Sequence, residues 1–227
     1  MRLKALIFDV DGTLAETEEG HRAAFNAAFR AAGLGWHWSV ADYARLLTTT
    51  GGKERIARYR DEVSAGPLDI AALHAEKTAR YTAWVAAGGV RLRPGIAALI
   101  GLARAGGLRL AVATTTSRPN VEALAQAAFG RGAGEVFDVL ACGDEVKAKK
   151  PAPDIYRLAL KRLGLRPEQA LAFEDTPMGV ASARGAGLRV VASPGIYSQG
   201  ADLSAAHRVV AEFSDLLPGG LAGLDAL

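Results

Sequence analysis

Asp9 and Asp11 stand two residues apart in "KALIFDVDGTLAET", at the end of the apolar run Ala5, Leu6, Ile7 and Phe8. That run reads as a buried strand, and burying an unpaired carboxylate costs several kcal/mol or more, so a counter-charge is required. Other reactive groups recur at the ends of later apolar runs: Thr114 with Thr115, Thr116 and Ser117; Lys150 in "KAKKPAPD"; and Glu174 with Asp175 in "ALAFED". In open α/β sheets ligands sit beyond the carboxyl ends of the strands, so these groups converge if the runs form one parallel sheet. Acids at two separate strand ends suit a hard divalent cation with carboxylate, carbonyl and water ligands, and Mg2+ is the candidate. A metal-bound phosphate would complete the neutralisation. A lone pair of acids of this spacing is a common solvated turn; the preceding strand, and the Gly12–Thr13 turn after it, make this one specific.

The elements that position these groups are legible as alternating patterns. Apolar runs at 5–10, 108–115, 135–142, 170–175 and 188–193 read as strands covered on both faces. Helical patterns separate them: "PGIAALIGLARAGG", "PDIYRLALKRLGL" and "MGVASARGAGL". The alternation predicts an α/β fold with a Rossmann-like, doubly wound parallel sheet. Residues 17–90 break the rhythm. "EEGHRAAFNAAFRAAGL", "KERIARYRDEV" and "DIAALHAEKTARYTAWVAAGG" are all helical by period. The expected organisation is therefore a core of residues 1–16 and 91–227 with an all-helical cap, 17–90, inserted after the first strand.

The 227-residue chain carries 27 Lys+Arg against 24 Asp+Glu, a net +3 with no long basic run, which gives no reason to expect nucleic acid or a polybasic membrane contact. No apolar stretch approaches the roughly 18 residues that span a bilayer. The first strand follows the first Met within a few residues, leaving no room for a signal peptide, so a cytoplasmic monomer acting on a small molecule is expected. Cys142, the one cysteine, reads as a small apolar residue at a strand end. Lys147 and Lys149 read as surface lysines, and Trp36 and Trp38 as cap packing.

"DVDGT", the Thr114 strand end, "KKPAPDIY" and "FEDTPMGVASARGAG", in that order, resemble the haloacid-dehalogenase-like superfamily over essentially the whole chain. The inserted helices, with "LLTTTGGKERIARY" and "LAVATTTSRPNVEAL", resemble the branch of β-phosphoglucomutase, phosphoglycolate phosphatase and CbbY, and CbbY most of all. The resemblance implies a Mg2+-dependent phosphatase in which Asp9 attacks phosphorus and Asp11 acts as general acid and base. It implies that Asp9, the Asp11 carbonyl and Asp175, with Glu174 beside them, hold the metal, and that Thr114 and Lys150 hold the phosphoryl oxygens. A strand's period of two would aim the Asp9 and Asp11 carboxyls to the same side.

In "TTTGGKERIARY", Gly51 and Gly52 lead into a helix whose free N–H groups, with Lys53 and Arg55, make an anion site on physical grounds. A second anion site across from Asp9 favours a substrate with two phosphates, or a phosphate and another acid. The resemblance adds Glu18, His21, Tyr43, His74 and Lys77 as cap contacts, and it narrows the substrate to xylulose 1,5-bisphosphate, a Rubisco inhibitor. By pattern alone His21 and His74 fit surface or interface positions. Thr115, Thr116 and Ser117 line the substrate side, and Asn120 either reaches the substrate or caps the helix at Val121. Competing readings are a phosphomutase, a phosphoglycolate phosphatase, a metal-free dehalogenase that leaves Asp11 and the 174–175 acids without a task, and a non-catalytic binding protein.

Overall fold

The computed structural model describes residues 3–227. In chain order the elements are β1 (Ala5–Phe8), α1 (Glu18–Ala31), α2 (Val40–Leu46), α3 (Gly52–Glu62), α4 (Ile70–Ala86), α5 (Ile96–Ala105), β2 (Arg109–Ala113), α6 (Arg118–Phe129), α7 (Ala133–Val136) and β3 (Val139–Ala141), followed by α8 (Asp154–Leu163), β4 (Ala170–Glu174), α9 (Pro177–Gly185), β5 (Arg189–Ala192), β6 (Arg208–Val209) and α10 (Gly220–Asp225). The strands form one sheet of order β3-β2-β1-β4-β5-β6, parallel throughout. This is the expected doubly wound order. The chain leaves β1 toward β2 on one side and reaches β4 on the other, so β1 ends at the switch point where such sheets bind ligands.

Period-two alternation explains why the strands read as continuous apolar runs. Leu6, Phe8, Leu110, Val112, Leu171 and Phe173 pack into the core on one face. Ala5, Ile7, Ala111, Ala113, Ala170 and Ala172 pack into the core on the other. Phe8 stacks on Phe173 with centroids 4.7 Å apart, fixing the β1–β4 register beside the acids.

Between β1 and α5 the regular elements are the helices α1–α4. They enclose a third apolar cluster built on Phe25, Phe29, Trp38, Tyr43, Ile56 and Leu73. Trp38 is fully buried against Phe25 and Phe29, at 4.7 and 4.8 Å, which bears out its reading as packing. The segments entering and leaving these helices lie side by side: Ala15 bridges Leu92, and the Arg93 N–H donates to the Leu14 carbonyl at 2.8 Å. No helix of the described residues is long and apolar enough to cross a membrane.

The structure differs from the sequence pattern in particular places. The run 135–142 is not one strand. Its first residues close α7, because Glu135 accepts the Gly132 N–H and Glu122 the Ala133 N–H, each at 2.8 Å, and only Val139–Ala141 joins the sheet. Helix α2 carries no long apolar period, but its Ser39–Asp42 capping box is present.

Candidate active site

The end of β1 delivers Asp9 into a buried cluster of charge. Its N–H continues the ladder to the Phe173 carbonyl at 3.1 Å, and its Oδ1 accepts from Lys150 Nζ at 2.6 Å. The same ammonium donates to Glu174 Oε1 at 2.6 Å, which also accepts from the Tyr156 hydroxyl at 2.5 Å. Asp175 Oδ1 accepts from the Thr13 hydroxyl at 3.2 Å. Oxygens of Asp9, Glu174 and Asp175 lie within 4.8 Å of one another, and all three residues are buried.

The electrostatics follow from this crowding. Burial pushes the Asp9 carboxyl up to about 7; the Lys150 ammonium opposes the shift and Glu174 adds to it. Burial, with Asp9 and Glu174 as neighbours, raises Asp175 well above its ordinary value. Burial works against the charge on Lys150, but Asp9 and Glu174 outweigh it and push the ammonium above its usual range.

Gly12 is required by this packing. Its φ is +78°, and a Cβ there would lie 2.2 Å from Asp175 Oδ2. Gly12→Ala is expected to displace Asp175 and cut kcat/KM about 100-fold, the scale of a roughly 1 Å misplacement. Steady-state kinetics with a far-UV spectrum to verify folding checks this; an active, folded variant contradicts it.

At the end of β2, buried Thr114 accepts the Thr116 N–H at Oγ1, 3.1 Å away, leaving its own hydroxyl proton free to donate. Asn120 Nδ2 donates to Thr116 Oγ1 at 2.9 Å. Ser117, not Asn120, is the N-cap of α6, which overturns the capping alternative. Asn120 Oδ1 and Ser117 Oγ are buried with no hydrogen-bond partner, and both residues line the cleft.

Across the cleft, Asp11 takes different partners from Asp9. Its Oδ1 accepts from Thr17 at 2.6 Å and lies 2.9 Å from His21 Nε2. Asp9 and Asp11 both line the cleft, and each takes its own partners beyond the end of β1 at Phe8. Burial opposes ionisation of Asp11, yet the bonds from His21 and Thr17 hold its carboxyl well below the usual range. His21 Nδ1 is 2.6 Å from Lys77 Nζ. Burial and Lys77 lower the imidazole's pKa, while burial pushes Lys77 down to about 7 against the pull of Asp11. A neutral His21 with its proton on Nε2 satisfies every contact: Lys77 donates to Nδ1 and Nε2–H donates to Asp11.

The remaining expected contacts divide. Glu18, Gly51, Gly52, Lys53, Arg55, His74, Lys77, Thr115 and Thr116 line the same cleft as Asp9. Tyr43 does not: it is fully buried and donates to Glu18 Oε2 at 2.6 Å from behind. Arg55 directs its donors to the Leu46 and Thr49 carbonyls and the Tyr43 hydroxyl, at 3.2–3.3 Å, so it braces the loop before the glycines. Lys53 pairs with Asp144 at 3.2 Å. Burial and Lys77 push His74 down to about 4, so it is neutral. Lys149 also lines the cleft and binds the Gly143 and Val146 carbonyls, so it is not the surface lysine that its neighbours suggest. Thr50, Asp144, Ile196, Tyr197 and Ser198 line the cleft without any sequence signal that singled them out.

The model of the haloacid dehalogenase-like hydrolases matches residues 3–187. The chain belongs to that family. Protein CbbY of Rhodobacter capsulatus is 59% identical over 216 residues, covering 94% of this chain and 95% of its own. The crystal structure of CbbY from Rhodobacter sphaeroides in complex with phosphate superposes with a TM-score of 0.95 at 56% identity, over 98% of this chain and 99% of that one. A variant of that protein in complex with xylulose-(1,5)bisphosphate gives a TM-score of 0.95 at 55% identity with the same coverage. This haloacid dehalogenase-like hydrolase is an enzyme of phosphatase type.

The donor set of this hydrolase fits a hard divalent cation. Three carboxylates converge within 4.8 Å, and one ammonium, that of Lys150, is hydrogen-bonded among them. Oxygen-only donors suit Mg2+ over softer metals. A pH prediction follows. Asp9 is raised from 3.8 to about 7 and Asp175 moves the same way. Between those limits the native state holds protons that the unfolded chain has released, so native stability falls as pH rises through the window. A bound cation replaces those protons. Metal-free protein is expected to lose thermal stability from about pH 5 to about pH 7.5, and stabilisation by Mg2+ should grow over the same range. Thermal-shift titrations at each pH check it; a Mg2+ effect independent of pH contradicts the site.

Proposed function

We propose that this enzyme is a Mg2+-dependent sugar-phosphate phosphatase working through an aspartyl-phosphate on Asp9, with xylulose 1,5-bisphosphate as substrate and xylulose 5-phosphate and inorganic phosphate as products. The observation that carries the reading is the Asp9 carboxylate 2.6 Å from Lys150 inside a cluster of three acids. Asp9, Glu174 and Asp175, with the Asp11 carbonyl, would hold the cation. When bound, it supplies positive charge that keeps Asp9 ionised and offsets the phosphoryl oxygens.

Asp9 attacks phosphorus, forming the Asp9–phosphorus bond as the bond to the sugar oxygen breaks. Lys150, the Thr114 hydroxyl and the Thr115 N–H receive the phosphoryl oxygens. Asp11 gives a proton to the leaving sugar oxygen, then takes one from the water that attacks phosphorus and releases phosphate and Asp9. On Thr17 and His21, Asp11 rests in its ionised form. It therefore takes up a proton as the anionic substrate binds, gives that proton to the sugar oxygen in the first half and regains one from water in the second. The helices of residues 17–90 act as the cap. Gly51, Gly52 and Lys53 at the start of α3, with Lys77, receive the distal phosphate, while Glu18, Ser117 and Asn120 meet the sugar hydroxyls. The 55%-identical relative in complex with xylulose-(1,5)bisphosphate supports this substrate.

Assaying phosphate release with Mg2+ against xylulose 1,5-bisphosphate, ribulose 1,5-bisphosphate, phosphoglycolate and β-glucose 1-phosphate tests the reading. Xylulose 1,5-bisphosphate is expected to give the largest kcat/KM. Preferred turnover of ribulose 1,5-bisphosphate or phosphoglycolate, or isomerisation of the glucose phosphate, would overturn it.

A further inference from the structure

One residue outside the helical insertion packs against its apolar cluster: Tyr197, in the loop after β5, is the only such residue among those described. Its ring meets Tyr43 edge-on, centroids 5.5 Å apart at 85°. Its hydroxyl donates to Glu19 at the start of α1. Glu19 is itself gripped by Arg22, whose Nε and Nη2 donate at 2.8–3.1 Å and whose Nη1 reaches the Trp38 carbonyl at 3.0 Å. Tyr197 is thus anchored in the cap at two points, on α2 through Tyr43 and on α1, the helix that carries Glu18, through Glu19.

The rest of the loop is fixed to the reaction centre. The Ile196 N–H donates to both Glu16 oxygens, at 3.2 and 3.3 Å, in the segment leading into the cap. Ser198 Oγ lies 3.4 Å from Asp175 Oδ2 and accepts the Gly195 N–H at 2.8 Å. Gly195 fits so closely that a Cβ would lie 3.1 Å from Asp175 Oδ2 and 3.2 Å from the Gly12 carbonyl. Arg93, buried where the chain returns from the cap, donates to the Gly12 carbonyl at 2.7 Å and the Ser193 carbonyl at 2.9 Å. It also reaches the Ser193 hydroxyl at 2.7 Å and the Pro194 carbonyl at 3.1 Å.

We infer that the loop Ser193–Ser198 is a strap that sets the distance between cap and core, and that Tyr197 is its specificity-determining residue. One end is held by Arg93, Gly12 and Asp175; the other reaches the cap through Tyr197. Because Tyr43 bonds Glu18 from behind, the Tyr197–Tyr43 contact governs where Glu18 stands relative to Asp9. The strap therefore selects substrates long enough to engage both the core and the cap, and matters less for small phosphate esters that the core alone can hold. This deepens the proposed function and rests on it for the identity of the long substrate.

Tyr197→Phe keeps the ring and removes the Glu19 bond; Tyr197→Ala removes both. In Tyr197→Ala, KM for xylulose 1,5-bisphosphate is expected to rise about tenfold with a smaller change in kcat, and kcat/KM for p-nitrophenyl phosphate to fall by a clearly smaller factor. Tyr197→Phe should fall between the two. Equal losses on both substrates, or no change on either, would overturn the inference. A second measurement needs no substrate: amide hydrogen exchange in the first turn of α1 and in 88–93 should accelerate in Tyr197→Ala, and unchanged exchange there would overturn the strap. If the wild-type enzyme hydrolyses p-nitrophenyl phosphate but not the bisphosphate, the substrate reading fails, and the exchange measurement decides the strap by itself.

Discussion

Asp9→Asn is expected to lower kcat by roughly 10^4-fold or more, the loss typical of removing a nucleophile, while the protein remains folded. The same change should raise the melting temperature of the metal-free enzyme above neutral pH. Burial has pushed the Asp9 carboxyl to about 7, so at pH 8 its ionised form opposes folding. An amide of the same shape removes one negative charge from three crowded acids and leaves Lys150 paired with Glu174 at 2.6 Å. The stabilisation by Mg2+ should shrink in parallel, because a ligand has been lost. Kinetics and thermal-shift curves with and without Mg2+ read all three effects; an active variant, or one whose Mg2+ response is intact, contradicts the role given to Asp9.

Lys150→Met is expected to do damage of a different kind. Its ammonium is 5% exposed and bonds both Asp9 and Glu174. Removing one partner of a buried ionic group costs roughly 3–5 kcal/mol, or about 10 °C for a chain of this length. Activity should fall about 10^3-fold, since a charged contact to the phosphoryl oxygens goes with it. The double variant Lys150→Met/Glu174→Gln separates the two losses. It should recover much of the melting temperature, because the unpaired charge on Glu174 is gone, and none of the activity. Recovery of activity, or a single variant as stable as the wild type, contradicts this electrostatic picture.

The acids at the strand ends were legible because carboxylates following continuous apolar runs have few places to go in a parallel sheet. Asp9, Lys150, Glu174 and Asp175 converge as that logic requires. Details that depend on where a run stops were not. The run 135–142 breaks where Glu135 and Glu122 capture backbone N–H groups, and the Thr17 and His21 bonds that hold Asp11 lie beyond the end of β1. His21 reads from sequence as one more residue on an amphipathic helix, since both of its partners, Asp11 and Lys77, are remote or lie on another helix. Tyr197 is the extreme case. It touches Glu19 across 178 residues, in a loop whose "SPGIYS" resembles any turn. Contacts of that span follow from topology, and periodicity does not encode them.

Trapping the covalent intermediate is the most direct test. Enzyme turning over a sugar phosphate with Mg2+ is quenched in acid and reduced with borohydride, which converts an aspartyl-phosphate to homoserine, and its peptides are then sequenced by mass spectrometry. Homoserine at position 9 and nowhere else is the expected result. Unmodified Asp9 under conditions of rapid phosphate release, or a modified residue elsewhere in the chain, would mean that the phosphoryl group never rests on the carboxylate at the end of β1.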